Sequence, residues 1–319
     1  MRVLVTGGAG FIGGITSKLL LDAGYKVVVI DDLSTGHLES LDERATFVRG
    51  DILDREAVEF ALQRCEIIMH FAAKALVAES VENPDLYHHV NVEGSRVLFQ
   101  AAKRLGVKRV VLSSSCATYG SPQAIPITET APTRPINPYG ESKLEVDRLM
   151  SELANSNGFA AMSLRYFNVA GALSRGSEWL SEKHEVETHL IPNVLRSTQK
   201  DPLEVFGTDF PTHDGTCVRD YVHVADIARA HLLAVGKLME GHHQIVNLGS
   251  GKGFSVKEVL DTAEGVLDRT IPRRYVSRRS GDPAVLIASN ERAKEILDWS
   301  PEFSLKQMII DAATAENLI

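Results

Sequence analysis

Short runs of β-branched and aliphatic residues recur through the first half of the chain, at 2–6, 26–30, 46–49, 66–71, 108–113 and 162–166, and most of the intervals carry apolar residues at helical spacing. Strands alternating with helices in this way predict right-handed βαβ crossovers and a parallel sheet covered on both faces, an α/β doubly wound architecture. Beyond residue 168 the rhythm changes to segments punctuated by Gly and Pro, with helical patterns at 225–239, 255–267, 291–297 and 305–315. The expectation is a sheet domain over residues 1–168 and a smaller α/β C-terminal lobe over 169–319 that closes on the sheet's C-terminal edge. Segments around 218–250 are expected to return to the sheet domain. Residues 172–187 carry no period and read as a mobile loop, and neither a repeat nor a low-complexity tract interrupts the pattern.

Composition narrows this picture. With 319 residues, 44% hydrophobic and 24% charged, the chain has enough apolar side chain for one large body with an appended lobe, and no stretch has the composition of disorder. Its apolar runs are far too short to cross a bilayer, and Met1 leads directly into a strand pattern where a secretory leader would carry charge before an apolar core. A cytoplasmic protein with no membrane partner is therefore expected. Cys65, Cys116 and Cys217 are widely spaced, form no CxxC pair, and read as small buried hydrophobes. The net charge of −8 argues against a nucleic acid partner, so any anionic ligand must be met by backbone amides and individually placed cations.

Candidate chemistry begins directly after the first strand. Gly7-Gly8-Ala9-Gly10-Phe11-Ile12-Gly13 has glycines spaced three apart, leading into a helix. Such a GxxGxxG turn lets backbone approach a pyrophosphate and offers the free amides and positive end of a helix, the signature of a Rossmann-type dinucleotide site. Gly7, Gly10, Phe11, Ile12 and Gly13 are thus cofactor candidates. About twenty residues on, at the end of the second strand, Asp31 and Asp32 stand where a carboxylate accepts ribose hydroxyls and repels a 2′-phosphate, which favours NAD over NADP. Asp51 and Ile52 follow the third strand and Phe71, Ala72 and Ala73 the fourth, where an adenine edge and a phosphate would lie.

Tyr139 and Lys143 stand four apart at the start of a helical pattern, which puts both on one face. A phenol titrates near pH ~10 in water, but a neighbouring ammonium and a nicotinium charge both favour its anion, so the pair suits removal of a carbinol proton. Upstream, the fifth strand ends in Ser113-Ser114-Ser115-Cys116-Ala117-Thr118-Tyr119-Gly120, which brings hydroxyls to the same sheet edge, Ser113 beside the expected nicotinamide.

Glycines, then hydroxyls, then YxxxK on these elements resemble the extended short-chain dehydrogenase/reductase family. Within it the chain is similar to the UDP-glucose 4-epimerases, through NPYGESK at 137–143, RYFNVAGA at 165–172, DGTCVRDYVHVAD at 214–226, NLGSG at 247–251 and RRSGDPA at 278–284. The resemblance runs nearly end to end. It implies that Ser115 hydrogen-bonds the sugar O4, that Tyr139 removes its proton, and that Lys143 binds the nicotinamide ribose while keeping the phenol acidic. It also implies that Asn91 and Tyr166 line the cofactor site, while Asn168, Phe206, Arg219, Tyr221, Arg279 and Asp282 face the UDP moiety. Two guanidiniums from separate segments would suit a diphosphate. The implied activity is exchange of UDP-glucose with UDP-galactose, through transient hydride transfer from C4 to bound NAD and a 4-keto intermediate that turns over in the pocket.

Departures from the family pattern qualify the reading. The nucleotide-sugar 4,6-dehydratases carry an Asp-Glu pair after the strand-five hydroxyl, where this chain has Cys116 and Ala117, so dehydration is not expected. A lysine that some members place against NAD is Ala75 here, with Lys74 one earlier. Before Leu190-Ile191-Pro192, where relatives place an amide on the uridine diphosphate, stands His189; His189 and Leu190 remain candidate substrate contacts. Leu286 replaces a larger aromatic and leaves room for an N-acetyl group. Open alternatives are 4-epimerisation of UDP-GlcNAc, UDP-xylose or UDP-glucuronate, and a non-catalytic NAD-binding regulator, against which the intact Ser, Tyr and Lys speak. His184-Glu185 with His189 is one residue too long for HExxH. On a helix its imidazoles would lie about 140° apart, so no metal is expected. A homodimer through the helix at 92–105 and the Tyr139 helix follows if the family's pairing holds.

Overall fold

The six apolar runs fold as strands β1 (Arg2–Thr6), β2 (Lys26–Asp31), β3 (Thr46–Arg49), β4 (Ile67–His70), β5 (Arg109–Ser115) and β6 (Ala160–Tyr166). With a seventh strand, His243–Leu248, they make one parallel sheet in the spatial order 3-2-1-4-5-6-7. The computed structural model describes residues 1–176, 178–184, 187–279 and 282–319. Ser177 and Val186 of the 172–187 stretch, Glu185 of the HExxH-like pattern, and Ser280 and Gly281 of RRSGDPA lie outside the described residues.

Strands β1, β2, β4, β5 and β6 are largely buried on both faces, while the edge strand β3 is more open, and the period of two is visible in which core each residue joins. Leu4, Val28 and Ile30 pack with Val58, Leu98, Phe99 and Met150 from the helices Arg55–Ala61, Gly94–Leu105 and Pro138–Asn157. Val3, Val5, Val27 and Val29 face the other way, against Leu20 of the helix Phe11–Asp22 and Ile227, Ala230 and Ala234 of the helix Val224–Val235. Trp299 closes that layer, fully buried, its indole N–H donating to the Asp226 carbonyl at 2.9 Å. A third core is built on Ile191, Val194, Val205, Val259, Leu260 and Ile309. There the strand Val218–His223 pairs with Asn168–Ala170, Gly253–Ser255 and Val285–Leu286, and Leu203–Phe206 pairs with Arg273–Val276. Among the described residues no helix is long and apolar enough to cross a membrane.

Two local expectations need correction. Within 172–187, Leu173–Arg175 and Glu178–Leu180 form an antiparallel hairpin, anchored where Arg175 donates to the carbonyls of Leu41 and Glu39 at 3.1 and 2.8 Å. A tertiary anchor of that kind leaves no periodic signature in the local sequence. Residues His88–Glu93 form a π-helical turn before the Gly94–Leu105 helix, where the apolar period suggested a helix starting at 92.

The helix that carries Tyr139 is fixed at both ends. Asn137 caps its start by accepting from the Gly140 N–H at 2.8 Å, Pro138 occupies the first helical position, and Gly158 ends it in the left-handed region at φ 68°. Asp147, two turns beyond Tyr139, is buried against the sheet. It accepts from Arg165 at 2.8 and 3.1 Å, from Ser163 at 2.6 Å and from Ser114 at 3.1 Å. A buried charge of this kind is tolerated only while paired. Asp147→Ala should therefore lower the free energy of urea unfolding by about 3–5 kcal/mol. A loss below about 1 kcal/mol would mean that the pair does not hold the helix to the sheet.

Candidate active site

A groove of about 1290 Å³ runs along the C-terminal ends of the strands, across the point between β1 and β4 where the strand order reverses. That is more than the ~300–1,000 Å³ of an ordinary small-molecule site. At one end Gly7 sits at φ +69°, and a Cβ there would lie 2.6 Å from the Ala72 nitrogen. A Cβ on Gly13 would collide with the Gly7 carbonyl. Only glycine lets these three backbone segments close up. The helix Phe11–Asp22 then opens without an acidic residue in its first turn and without a side-chain cap, so its free amides and positive end face the groove.

Asp31, buried at the end of β2, accepts from the Ala9 and Leu33 N–H groups at 2.9 Å each. Burial raises its pKa, and those two amide bonds partly offset the rise. Its carboxylate therefore holds the glycine loop in place and keeps one lone pair per oxygen for a hydroxyl. Asp32 is the more exposed of the two, with one oxygen accepting from the Ser34 N–H. Asp51, Ile52, Phe71, Ala72 and Ala73 line the same end, as do Gly7, Gly10, Phe11, Ile12 and Gly13.

Midway along the groove, Ser113 and Ser115 end β5 in register with Leu164 and Tyr166 of β6. A Cβ on Gly140 would lie 2.6 Å from the Ala117 carbonyl, so glycine lets the Tyr139 helix start directly against the turn after Ser115. That contact brings the phenol to the serine. Lys143 lies one turn further on, buried, its Nζ donating to the Ser113 carbonyl at 2.9 Å and lying 5.8 Å from the Tyr139 ring centre. Tyr166 donates to Nε2 of His231 at 2.9 Å, and His231 in turn donates from Nδ1 to the Ile227 carbonyl. Burial pulls the His231 pKa down to about 4, which keeps the ring neutral in that tautomer.

Burial pushes the Tyr139 phenol up to about 12, although its hydrogen bond with Ser115 pulls the other way. Burial also draws Lys143 down to about 8, against a smaller opposing pull from Asp147. The lysine alone therefore does not make the phenol acidic. A further positive charge is needed beside it.

At the far end Arg279 stacks on Phe206, with its guanidinium carbon 3.8 Å from the ring centre. Arg219 reaches in from the strand Val218–His223 and pairs with Asp282 at 2.6 Å, so it does not stand free as the two-arginine picture implied. Asn168, Tyr221, Leu190 and Leu286 complete this wall.

One candidate is displaced. Asn91 does not line the large groove; it lies behind the wall, accepting from the Lys74 N–H at 2.7 Å and donating to Ser142 at 2.9 Å. Its role is to hold the Lys74 backbone, and Lys74 itself lines the groove. Sequence reasoning also passed over Asn193 and Arg196, three apart on the helix Leu190–Arg196, whose shared face was the available signal.

His189 lines the groove, and its Nδ1 lies 2.9 Å from Glu187 and 3.1 Å from Glu182, within a cluster that includes His184. Burial disfavours its charged form, but the two carboxylates outweigh that and raise its pKa to about 10. The described residues of 182–189 are not helical, so the helical geometry used to set the two imidazoles apart does not apply.

A family model described as NAD dependent epimerase/dehydratase matches residues 3–249. The chain is 46% identical to the UDP-glucose 4-epimerase of Corynebacterium glutamicum, covering 99% of this chain and 95% of that protein. To that of Lacticaseibacillus casei it is 45% identical, covering 98% and 96%. Among solved structures, the UDP-glucose 4-epimerase of Brucella ovis in complex with NAD superposes with a TM-score of 0.93 at 42% identity, covering 99% of this chain and 98% of that one. The enzyme of Bifidobacterium longum, in complex with NAD+ and UDP, gives 0.93 at 33% identity with the same coverage.

The lysine makes a pH prediction. Lys143 titrates near 8 in the folded chain and at 10.5 in water, so between those values the unfolded chain binds the extra proton. Stability from this group is lowest below pH 8 and rises as the pH climbs towards 10.5. Lys143→Met should lack that rise, so the urea midpoint of the wild-type chain should gain on that of the variant between pH 8 and 10. A difference that stays flat with pH would contradict a desolvated lysine.

Proposed function

The chain belongs to the NAD dependent epimerase/dehydratase family, and from that premise we propose that it interconverts UDP-glucose and UDP-galactose by inverting the 4-hydroxyl while holding NAD. The observation that carries this reading is the meeting of Tyr139, Ser115 and Lys143 midway along one groove, between an amide-lined end and an arginine-lined end. The residues fit the cofactor. The crowded glycines leave no room for side chains where a pyrophosphate would approach, the uncapped helix offers its amides, and Asp31 and Asp32 favour an unphosphorylated ribose. Bound NAD supplies a hydride acceptor that gives the hydride back, together with the positive charge that the phenol lacks, so the reaction has no net redox change.

Tyr139 takes the proton of the sugar 4-hydroxyl and returns it, with Ser115 beside the phenol. Lys143 would hold the cofactor ribose, and it steadies the end of β5 through the Ser113 carbonyl. Phe206, Arg219 and Arg279 hold the uridine diphosphate, with Asp282 keeping Arg219 in position until the anion arrives. Cys116, half-buried with its thiol raised to about 12 by desolvation, and Ala117 supply no carboxylic acid for dehydration. On this reading the large sheet, with 224–248, carries the cofactor, and the lobe built on the third core carries the nucleotide sugar. A homodimer through Gly94–Leu105 and Pro138–Asn157 is supported by the family likeness and by the side-by-side placement of these helices, linked by Arg96 and Glu145 at 3.8 Å.

The test is to incubate the NAD-loaded protein with UDP-galactose and follow the sugar C4 protons by NMR. The wild-type chain should produce UDP-glucose, and Tyr139→Phe should keep its bound NAD while slowing this at least about 100-fold. No interconversion by the wild-type chain, or loss of oxygen from the sugar, would overturn the assignment. Full activity of Tyr139→Phe would move the proton transfer to Ser115.

A further inference from the structure

In the wall of the groove, four side chains from one short segment converge: Glu182, His184, Glu187 and His189. One ligand atom of each lies within 4.8 Å of all the others. Nδ1 of His184 is 3.1 Å from Oε1 of Glu182, and Nδ1 of His189 is 3.1 Å from that same oxygen and 2.9 Å from Oε1 of Glu187. In a tetrahedral zinc site with bonds of about 2.0–2.1 Å, ligand atoms stand about 3.3 Å apart. The three short contacts are close to that spacing, and the remaining pairs, all within 4.8 Å, would draw in around the ion.

A second observation is independent of the spacing. Nδ1 of His184, despite its approach to Glu182, and Oε2 of Glu187 are buried without an aligned hydrogen bond, and the Glu187 side chain is only 5% exposed. Buried polar atoms are normally satisfied, and here two that are not belong to the same cluster. Arg196 feels both carboxylates but is bonded to Glu316 at 2.7 Å. A divalent cation would meet the unsatisfied atoms and neutralise the two carboxylates together.

We propose that Glu182, His184, Glu187 and His189 bind one transition-metal cation of the zinc class, which closes residues 182–189 into a chelate at the side of the groove. Two imidazoles with two carboxylates suit zinc rather than calcium or magnesium, which favour oxygen alone. With four protein ligands the site is structural: no position is left for a reacting water, and the pattern is not that of a metal hydrolase. Its consequence lies in what the segment touches. The Lys183 carbonyl lies 3.1 Å from Nε2 of His37 and the Lys183 ammonium 3.1 Å from Glu39, on the loop that follows Asp31 and Asp32. The helix Leu190–Arg196, which lines the groove, starts where the chelate ends. Metal would thus fasten the lobe's first segment to the loop at the cofactor end.

Tag-free protein, stripped with EDTA, reloaded with zinc chloride and desalted, should retain about one zinc per chain by plasma emission spectrometry. His184→Ala and Glu187→Gln should each lose most of it while folding normally by circular dichroism, and cobalt in place of zinc should give the visible bands of a tetrahedral site. No retained zinc in the wild-type chain, equal retention in both variants, or preference for calcium would overturn the proposal. The count is independent of turnover, so its failure leaves the epimerase reading untouched, and the reverse holds too.

Discussion

A single helix face, docked on the sheet by one buried carboxylate, sets the chemistry of this molecule. Tyr139, Lys143 and Asp147 follow one another at intervals of four along the helix Pro138–Asn157, so whatever fixes Asp147 fixes the other two. Asp147 is held by Arg165 and Ser163 of β6 and by Ser114 of β5. Arg165 is itself packed over the ring of Tyr119, with its guanidinium carbon 4.8 Å from the ring centre. The other end of the helix is set by Gly140 against the Ala117 carbonyl. Between these two constraints the phenol has little freedom to leave the end of β5.

The groove solves a charge problem for a chain of net charge −8. One end offers an anion backbone amides, which carry no formal charge and need no counter-ion. The other end uses guanidiniums held by aromatic stacking and by Asp282. Midway along the groove, desolvation raises the Tyr139 phenol to about 12 and lowers Lys143 to about 8.

Much of this was legible in the sequence because the signals were local. β-branched runs gave the six strands nearly to the residue, and the crowding of glycines after β1 pointed to a phosphate-sized opening. The spacing of Tyr139 and Lys143 gave a shared face. What was not legible depends on partners far along the chain. Asp147 looks like any polar position on an amphipathic helix until Arg165 and Ser163 arrive from β6. Asn91 reads as a groove residue, yet its amide is spent on Lys74 and Ser142. Arg219 and Asp282, sixty-three residues apart, gave no hint that they neutralise each other. The cluster of Glu182, His184, Glu187 and His189 escaped because the HExxH comparison presumes a helix, and the described residues of 182–189 are not helical.

The central claim is that the Tyr139 phenol is held un-ionised by burial and made acidic only by positive charge brought into the groove. Difference absorbance at the phenolate band, wild type minus Tyr139→Phe, measures this residue against the other tyrosines as pH is raised. The account requires little ionisation of Tyr139 below pH ~10 in cofactor-free protein, and a midpoint at least about two units lower once NAD is loaded. The same midpoint in both states would contradict it.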